Sequence, residues 1–349
     1  MSQAQNAPTK KGSQSGQSTQ DTIEDVVPNP ARPIAIDLHP VSTGDYRIGT
    51  PAIESFYELI TRCLRYRIPG ALTYGPSRTG KTKAIEYLRM LIAIKHPKIT
   101  FFHVHAEHKP RHAEGAFFSN LLEAVGHPDP DGGTNSSKRT RLFAKIKEAC
   151  CRNGSGVVLL FCDEAQRYDE NEYEWLRDVH DRLGAMAIQQ FTFLVGQQEL
   201  LAVKTAMQQA RKTQIVARLM VEELAFHGVR DVQDVATCLS GYDRTHYPRS
   251  SDWSYTRFFM RHAVKEGYLL SNDATMLWDA FDLLHHGQGL AGELEIPMES
   301  FTRAVEIVFK ESETLDCPGY RPSKGLWELA VKNSGYVQSR VALSPGIRG

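Results

Sequence analysis

Up to about residue 228, short apolar runs alternate with longer segments whose apolar residues recur at helical spacing. GVVLLFC (156–162) and QQFTFLVG (189–196) are continuous runs rich in β-branched and aromatic residues, as buried strands are. Continuous apolar strands separated by helices indicate a parallel sheet that is covered on both faces. The pattern therefore predicts an α/β fold, with further strands at 71–74 and 98–106 and helices near 51–66, 83–95, 114–126, 138–152, 171–183 and 198–209.

Beyond about residue 228 the strand pattern stops, and five amphipathic segments predict a helical subdomain. The first 22 residues are mostly Gln, Ser, Gly and Lys and offer little to bury, which is typical of disorder. The proline-rich stretch that follows predicts a semi-extended arm packed over a globular body. We therefore divide the chain into a disordered tail (1–22), an arm (23–50), an α/β core (51–228), a helical lid (229–335) and a C-terminal tail (336–349).

The stretch GPSRTGKT (75–82) lies between a predicted strand and a predicted helix. It fits the phosphate-binding pattern of a glycine, four residues, a second glycine, a lysine and a hydroxyl residue. The glycines let the backbone curl around an anion, and the next helix directs its positive dipole end at the same place. We expect Lys81 to reach the β- and γ-phosphates of a nucleotide and Thr82 to hold Mg²⁺. The predicted nucleotide-binding residues of this loop are Gly75, Pro76, Ser77, Arg78, Thr79, Gly80, Lys81 and Thr82.

Two carboxylates, Asp163 and Glu164, follow the apolar run that begins at residue 156. Asp163 suits the Mg²⁺ of the same nucleotide, and Glu164 would polarise an attacking water. This pair favours hydrolysis over the transfer of phosphate to a small-molecule acceptor; the alternative is an ordinary solvated turn. Gln197 follows the next strand and is expected to contact the γ-phosphate, unless it only faces solvent.

An arginine candidate for catalysis lies farther along, in TQIVARLM (213–220). We expect Arg218 to point at the nucleotide of a neighbouring subunit and to neutralise transition-state charge there. The alternatives are an arginine engaged within its own chain or exposed on the surface, and Arg211 is the competing candidate.

Composition limits the remaining possibilities. Lys and Arg together number 41, as do Asp and Glu, so any basic surface must be local. A hydrophobic content of 41% and a charged content of 23% are ordinary for a soluble globular protein. The six cysteines form no C-x-x-C pair, and no apolar run reaches the ~20 residues of a membrane span. We expect a protein of a reducing, bacterial cytoplasm with no membrane partner.

In this order, GPSRTGKT, VVLLFCDEAQ, FLVGQQEL and ARLMVEELAF resemble the AAA+ ATPases of the TniB/TnsC type. These are regulators of DNA transposition related to IstB-like and ORC/Cdc6-like initiators. The resemblance covers roughly 50–240, and a weaker similarity extends into the lid. It implies a P-loop AAA+ three-layer sandwich with a parallel central sheet and a small all-helical lid.

The resemblance also implies roles for individual residues. Those that bind ATP and Mg²⁺ would be Lys81, Thr82 and Asp163. Glu164 would serve the attacking water, Gln197 would be the sensor of the γ-phosphate, and Arg218 would be the finger. The sensor in this family is often threonine or asparagine, so Gln197 departs from the pattern. No motif places the lid's sensor arginine, for which Arg303 is the candidate.

The partners that the resemblance implies are macromolecules. ATP-bound subunits would form a ring or filament on double-stranded DNA without reading its sequence. A target selector of the TniQ/TnsD kind would seed the assembly, which would recruit transposase subunits. ATP hydrolysis would then disassemble it.

Two locally basic segments predict where DNA would bind. HKPRH (108–112) follows a strand, and TNSSKRTRLFAKIK (134–147) is a polar loop that enters a helix. Such side chains contact phosphates and position a protein without reading sequence. The alternative is a solvated helix face. The predicted DNA-binding residues are Lys109, Arg111, Lys138, Arg139 and Arg141.

Two further interpretations stay open at this point. A helicase loader or initiator would share every catalytic residue and differ in its partner. A nucleotide-dependent signalling or defence switch would bind no DNA. The histidines at 103, 105, 108 and 112 invite a zinc site, but no acid or cysteine accompanies them at ligand spacing, so zinc is disfavoured.

Overall fold

The computed structural model describes residues 31–108 and 112–343. The predicted disordered tail lies outside the described residues, as does the first part of the arm, up to residue 30. Lys109 and Arg111, two of the predicted DNA-binding residues, also lie outside them, as do the last six residues of the chain.

Five parallel strands form one sheet in the order β2-β3-β4-β1-β5. The four strands predicted from apolar runs are confirmed to within two residues. The fifth, at the edge beside β1, was not predicted as a strand, because its two glutamates break the apolar run and its alternate side chains are exposed. The strands are β1 (Gly70–Tyr74), β2 (Thr100–His105), β3 (Val157–Asp163), β4 (Gln189–Gly196) and β5 (Glu222–Ala225).

Helices cover both faces of this sheet, which confirms the predicted three layers. Successive residues of β3 point to opposite faces, as the period of two requires. Leu160 packs with the helices on one face of the sheet, whereas Leu159 and Phe161 pack with the two helices on the other face. The first face carries α4 (Glu114–Ala124), α5 (Asn135–Asn153), α6 (Glu170–Ala185), α7 (Glu199–Gln209) and α8 (Thr213–Leu219), and the second carries α2 (Pro51–Tyr66) and α3 (Lys81–Lys95).

The lid is helical, as predicted, and encloses a hydrophobic core of its own. One difference is that the helix predicted over 252–268 is two short helices interrupted at Met260. Another is that the predicted C-terminal tail begins with a helix whose first residue, Tyr336, is fully buried. The lid helices are α9 (Val232–Arg244), α10 (Tyr255–Phe259), α11 (Arg261–Lys265), α12 (Ala274–Gly287), α13 (Met298–Leu315), α14 (Lys324–Asn333) and α15 (Tyr336–Leu343).

The described part of the arm packs against the lid core. It contains the 3-10 helix Ile36–Leu38 and one short α-helix, α1 (Pro40–Thr43), and then runs to the start of α2 without regular structure. Val41, Tyr46 and Ile48 are buried among lid residues, and the His39 ring stacks on Phe258 at a centroid distance of 4.2 Å. The arm thereby connects the lid to the core helices. No helix in the described ranges is long and apolar enough to cross a membrane.

Candidate functional site

The loop between β1 and α3 curls tightly, and neither of its two glycines can be replaced by a residue with a side chain without steric clash or backbone strain. The N–H of Gly75 donates to Gly196 O at 3.2 Å, and a Cβ on Gly75 would stand 1.9 Å from Phe226 O. Gly80 adopts φ +94°, in the left-handed region that favours glycine, and begins α3 with no capping side chain. The N–H groups in the first turn of a helix have no partner within it. The loop therefore offers these groups to an anion.

Lys81 is held inside the curl of the loop. Its ammonium group donates to Gly75 O at 2.9 Å and to Pro76 O at 2.6 Å, and the residue is only 6% exposed. Burial lowers the pKa of Lys81, while the nearby carboxylates of Glu164 and Asp163 oppose that shift. The cation is thus positioned among the loop's backbone groups, where phosphate oxygens can replace the two carbonyls.

Thr82 and Asp163 meet at the carboxyl edge of the sheet. Thr82 Oγ1 donates to Asp163 Oδ2 at 2.7 Å, and Asp163 is fully buried. Burial raises the pKa of Asp163, but the nearby His103 and the hydrogen bond from Thr82 outweigh it and hold the pKa below its usual value. An ionised carboxylate beside a hydroxyl oxygen is a donor set that suits Mg²⁺.

Two histidines at the end of β2 face the same carboxylate. His103 Nε2 and His105 Nδ1 each lie 3.7 Å from Asp163 Oδ2. They were not predicted as residues of this site, because their proximity depends on β2 being paired with β3, which puts His105 in register with Asp163. Two residues apart on one strand, they share a face, and that was the only indication in the sequence.

A different group of possible metal ligands comes from the segments that follow β2 and β3. His112, Asp169 and Glu172 bring one donor atom each to within 4.8 Å of one another. Local structure accounts for the arrangement. Asp169 and Glu172 form the capping box of α6, and His112 Nδ1 lies 2.5 Å from Glu172 Oε2.

Glu164 follows Asp163 in a left-handed backbone conformation, φ +55°, which turns the chain out of β3 into the 3-10 helix Ala165–Arg167. Gln166 Nε2 donates to Glu164 Oε2 at 2.9 Å, and Gln166 Oε1 accepts from the backbone N–H of Gln197 at 3.2 Å. Glu164 and Gln197 were both predicted for the site, and the structure brings them together through Gln166, which was not.

A cavity of about 290 Å³ adjoins the phosphate loop. It lies between the arm, the loop and the first turns of α13. Apolar walls with a few polar groups are typical of small-ligand pockets. The apolar walls include Ile48, Ile53, Phe226 and Met298, and the polar groups include Tyr46, Arg47, Glu299 and Glu306.

The loop also contacts the lid directly. Glu299 donates its N–H to Arg78 O at 3.4 Å, and its carboxylate lies 3.5 Å from Arg78 Nε. The same carboxylate accepts from Arg303 at 2.9 Å, and Arg303 also donates to Ser334 O at 3.1 Å. Arg303 is thereby directed at the end of α14 and is not among the residues lining the cavity.

Arg218 lies at the amino ends of the strands, opposite the carboxyl edge at which the phosphate loop lies. Its backbone carbonyl packs against Gly70, at the end of β1 that is remote from the phosphate loop. Its guanidinium pairs with Asp181 at 3.2 Å and remains 45% exposed. Arg218 is therefore not brought together with the loop of its own chain, and its role as a finger stays a prediction.

Three predicted DNA-binding residues lie near the start of α5 and make contacts within the chain. Lys138 is 8% exposed and donates to Ser119 Oγ at 2.7 Å. Arg139 pairs with Glu114 at 2.7 Å, and Arg141 donates to Asp129 O at 2.8 Å. Binding of DNA phosphates would have to compete with these contacts, so the assignment of the three residues to DNA stays a prediction.

The parallel sheet, the phosphate loop and the helical lid define a P-loop AAA+ fold. Residues 70–203 match the family model described as an AAA domain, which implies ATPase-type activity. The chain is similar to the ORC2 protein of Aeropyrum pernix in its ADPNP-ADP complexes, with a TM-score of 0.54 and 14% identity, over 85% of this chain and 71% of that one. The ADP form of the same protein gives a TM-score of 0.50 and 15% identity, over 82% and 68%. No curated protein matches the chain.

Proposed function

We propose that this protein binds ATP at the carboxyl edge of its sheet and hydrolyses it. The observation that carries the proposal is the hydrogen bond between Thr82 and Asp163 beside the buried amine of Lys81. This arrangement places a cation, a hydroxyl and an ionised carboxylate at the start of a helix. Mg²⁺, when bound by Thr82 and Asp163, supplies charge neutralisation for the phosphates.

The side chains at this edge have separate tasks. Lys81 and the N–H groups at the start of α3 bind the phosphates, and the cavity beside Met298 receives the nucleoside. Glu164 accepts a hydrogen bond from Gln166, and its Oε2 lies 3.5 Å from Arg167 Nη2. The Glu164 carboxylate orients the attacking water and polarises its O–H bond. Gln197, after β4, contacts the γ-phosphate.

Assembly of several copies completes the site. Arg218 is remote from its own loop and nearly half exposed, which fits a residue that serves the nucleotide of the adjacent subunit. Hydrolysis in this scheme requires neighbours, so ATP binding and multimer formation are coupled.

The biological role that we propose is ATP-gated assembly on duplex DNA in the control of transposition. Its support is the resemblance of four motifs, in order, to TniB/TnsC regulators. In this role the assembly links a TniQ/TnsD-like target selector to transposase subunits, and hydrolysis releases the protein from DNA. Multiple weak phosphate contacts, repeated in every subunit, would make binding strongly dependent on salt.

An initiator-like or helicase-loading role is the second candidate. The similarity in fold to the ORC2 protein, which covers 85% of this chain, favours it. Both roles require ATP-dependent retention on DNA and differ in the protein that is recruited. In the transposition role the partner would be a transposase encoded beside this chain. In the initiator-like or helicase-loading role it would be a replicative helicase.

Retention of the protein on duplex DNA tests the proposal. The Glu164→Gln variant should bind ATP and dissociate from DNA more slowly than the wild type, because hydrolysis is blocked. Glu170→Gln, on the exposed start of α6, is the matched control and should dissociate like the wild type. Equal retention with ATP, with ADP and without nucleotide would contradict DNA gating, and the absence of DNA binding in all three conditions would favour the signalling or defence switch.

A further inference from the structure

The tips of β3 and β4 are joined by one side chain, that of Gln166. Its amide nitrogen donates to the carboxylate of Glu164 at 2.9 Å, and its amide oxygen accepts from the N–H of Gln197 at 3.2 Å. Both ends of a single planar amide are therefore engaged, one on the residue proposed to orient water and the other on the residue proposed to contact the γ-phosphate. These two hydrogen bonds connect the β4 tip to the Glu164 carboxylate.

The backbone around Glu164 is shaped to make this contact. A non-glycine residue at φ +55° is uncommon, and such conformations persist only where the surroundings impose them. Here the left-handed turn starts the 3-10 helix Ala165–Arg167, which brings Gln166 back beside the carboxylate two residues earlier.

Gly196 leaves the room that Gln166 occupies. A Cβ at this last residue of β4 would stand 2.2 Å from Gln166 Oε1, whereas its next contact outside Gln166 is a methyl group of Leu200 at 3.4 Å. Only glycine at this position admits the amide in its present place. Substitution here would displace the end of a flexible side chain and leave the backbone of the strand undisturbed.

Arg167 also lies near the Glu164 carboxylate, at 3.5 Å from Oε2, but its guanidinium donates its hydrogen bond to Ala106 O, after β2. It therefore does not connect Glu164 to β4. Of the described side chains that contact Glu164, Gln166 is the one whose second hydrogen bond reaches the β4 tip.

We propose that Gln166 is a positioning residue that couples the tip of β4 to Glu164, so that Glu164 is oriented for hydrolysis when Gln197 contacts a triphosphate. The inference rests on the proposed ATPase function. It assigns to Gln166 no contact with nucleotide, since the amide nitrogen and the amide oxygen each bond to a protein group. Loss of the amide should therefore reduce the rate of hydrolysis and leave nucleotide binding unchanged.

The first test is the steady-state kinetics of Gln166→Ala. We expect kcat to fall at least about tenfold, since a misplacement of about 1 Å can cost roughly a hundredfold in rate. KM and the affinity for ATP should stay within about twofold of the wild type. Gln198→Ala is the matched control, because Gln198 is the exposed neighbour of Gln197 and makes no capping hydrogen bond. It should keep the wild-type kcat.

The second test changes Gly196 and leaves Gln166 in the sequence. Gly196→Ala should lower kcat to a similar extent, because its Cβ takes the space of the amide oxygen. In the Gln166→Ala background the same change should cost little further, since no amide is left to displace. This non-additivity distinguishes a shared coupling from two unrelated defects.

The inference is overturned if Gln166→Ala hydrolyses ATP at the wild-type rate, if it loses ATP affinity in proportion to kcat, or if the two substitutions are additive. A wild-type protein that binds ATP without hydrolysing it would instead contradict the proposed function. The two failures are therefore distinguishable in one set of assays.

Discussion

Thr82 and Asp163 stand 81 residues apart in sequence, and their side chains meet in a hydrogen bond of 2.7 Å. This contact ties the first turn of α3 to the tip of β3, two strands away from β1 in the sheet. It brings together the hydroxyl and the carboxylate that the two phosphate-site motifs contribute separately.

Thr82→Val should weaken Mg²⁺-dependent ATP binding roughly ten- to hundredfold, because it removes an oxygen ligand and leaves the buried carboxylate of Asp163 without its hydrogen-bond donor. Thr82→Ser retains the hydroxyl and is the control. The measurement is the ATP dissociation constant with Mg²⁺ and with EDTA. Equal affinities for the valine and serine variants would contradict the role of Thr82.

Lys81→Ala should abolish detectable ATP binding and, with it, assembly. The substitution removes the cation that the loop holds against Gly75 O and Pro76 O. Lys98→Ala, in the exposed turn after α3, is the control for the loss of one positive charge. Titration with a fluorescent ATP analogue measures both variants, and light scattering measures their assembly. Wild-type affinity in Lys81→Ala would contradict the site itself.

The stability of the arm–lid contact should depend on pH through Glu306. Its carboxylate accepts a hydrogen bond from Tyr46 at 2.9 Å. Burial raises the pKa of Glu306 above the usual 4.5, although the bond from Tyr46 opposes the shift. The folded state therefore binds this proton more tightly than the unfolded state. The contribution of protonated Glu306 to the free energy of unfolding is complete below about pH 4.5 and is lost as the pH rises through the folded-state pKa of Glu306.

Glu306→Gln keeps an acceptor for Tyr46 and carries no charge. It should be more stable than the wild type at pH 7, and the difference should shrink as the pH falls towards 4.5. Urea unfolding of the nucleotide-free protein at several pH values measures this. Glu311→Gln, an exposed change on the same helix, is the control. A difference for Glu306→Gln that does not vary with pH would refute the prediction.

Mixing two inactive variants tests whether Arg218 acts on a neighbouring subunit. Arg218→Ala should lower ATP turnover at least about tenfold, because arginine fingers contribute roughly 10³–10⁵ in comparable systems, and should leave ATP affinity mostly intact. Glu164→Gln keeps Arg218 but lacks the carboxylate for water. Mixed assemblies should regain turnover, since a Glu164→Gln subunit supplies its arginine to the intact site of an Arg218→Ala subunit.

Arg211→Ala is the comparison variant, and recovery with Arg211→Ala in place of Arg218→Ala would transfer the role to Arg211.

Much of the core could be predicted from sequence because its strands are buried on both faces. Such strands are continuous apolar runs, and β4 was predicted with both of its bounds. The edge strand β5 lacks this property. Its Glu222 and Glu223 pair with Arg62 and Lys204, contacts that depend on the finished fold.

The motif residues of the site could be predicted for a related reason, since the spacing of glycines, lysine and hydroxyl is local. Contacts made across strands could not be predicted. His103 reaches Asp163 only because β2 lies next to β3, and Gln166 reaches Gln197 only because β3 lies next to β4. The cavity likewise combines Ile48, Phe226 and Met298, which are far apart in the chain.

At the basic start of α5, the sequence indicated more exposure than the structure shows. Charge and composition predicted an exposed surface, yet Lys138 extends its amine to Ser119 and Gly115 O inside the fold. A charged residue in a polar loop does not by itself reveal whether a neighbouring helix will receive it.

The most direct test of the central claim is ATP hydrolysis by the wild type and by Glu164→Gln, measured as phosphate release with Mg²⁺ under conditions that permit assembly. We expect turnover by the wild type and a loss of about 10²–10⁴-fold in the variant, with ATP affinity retained. Wild-type protein that binds no ATP, or a variant that releases phosphate at the wild-type rate, would contradict the claim.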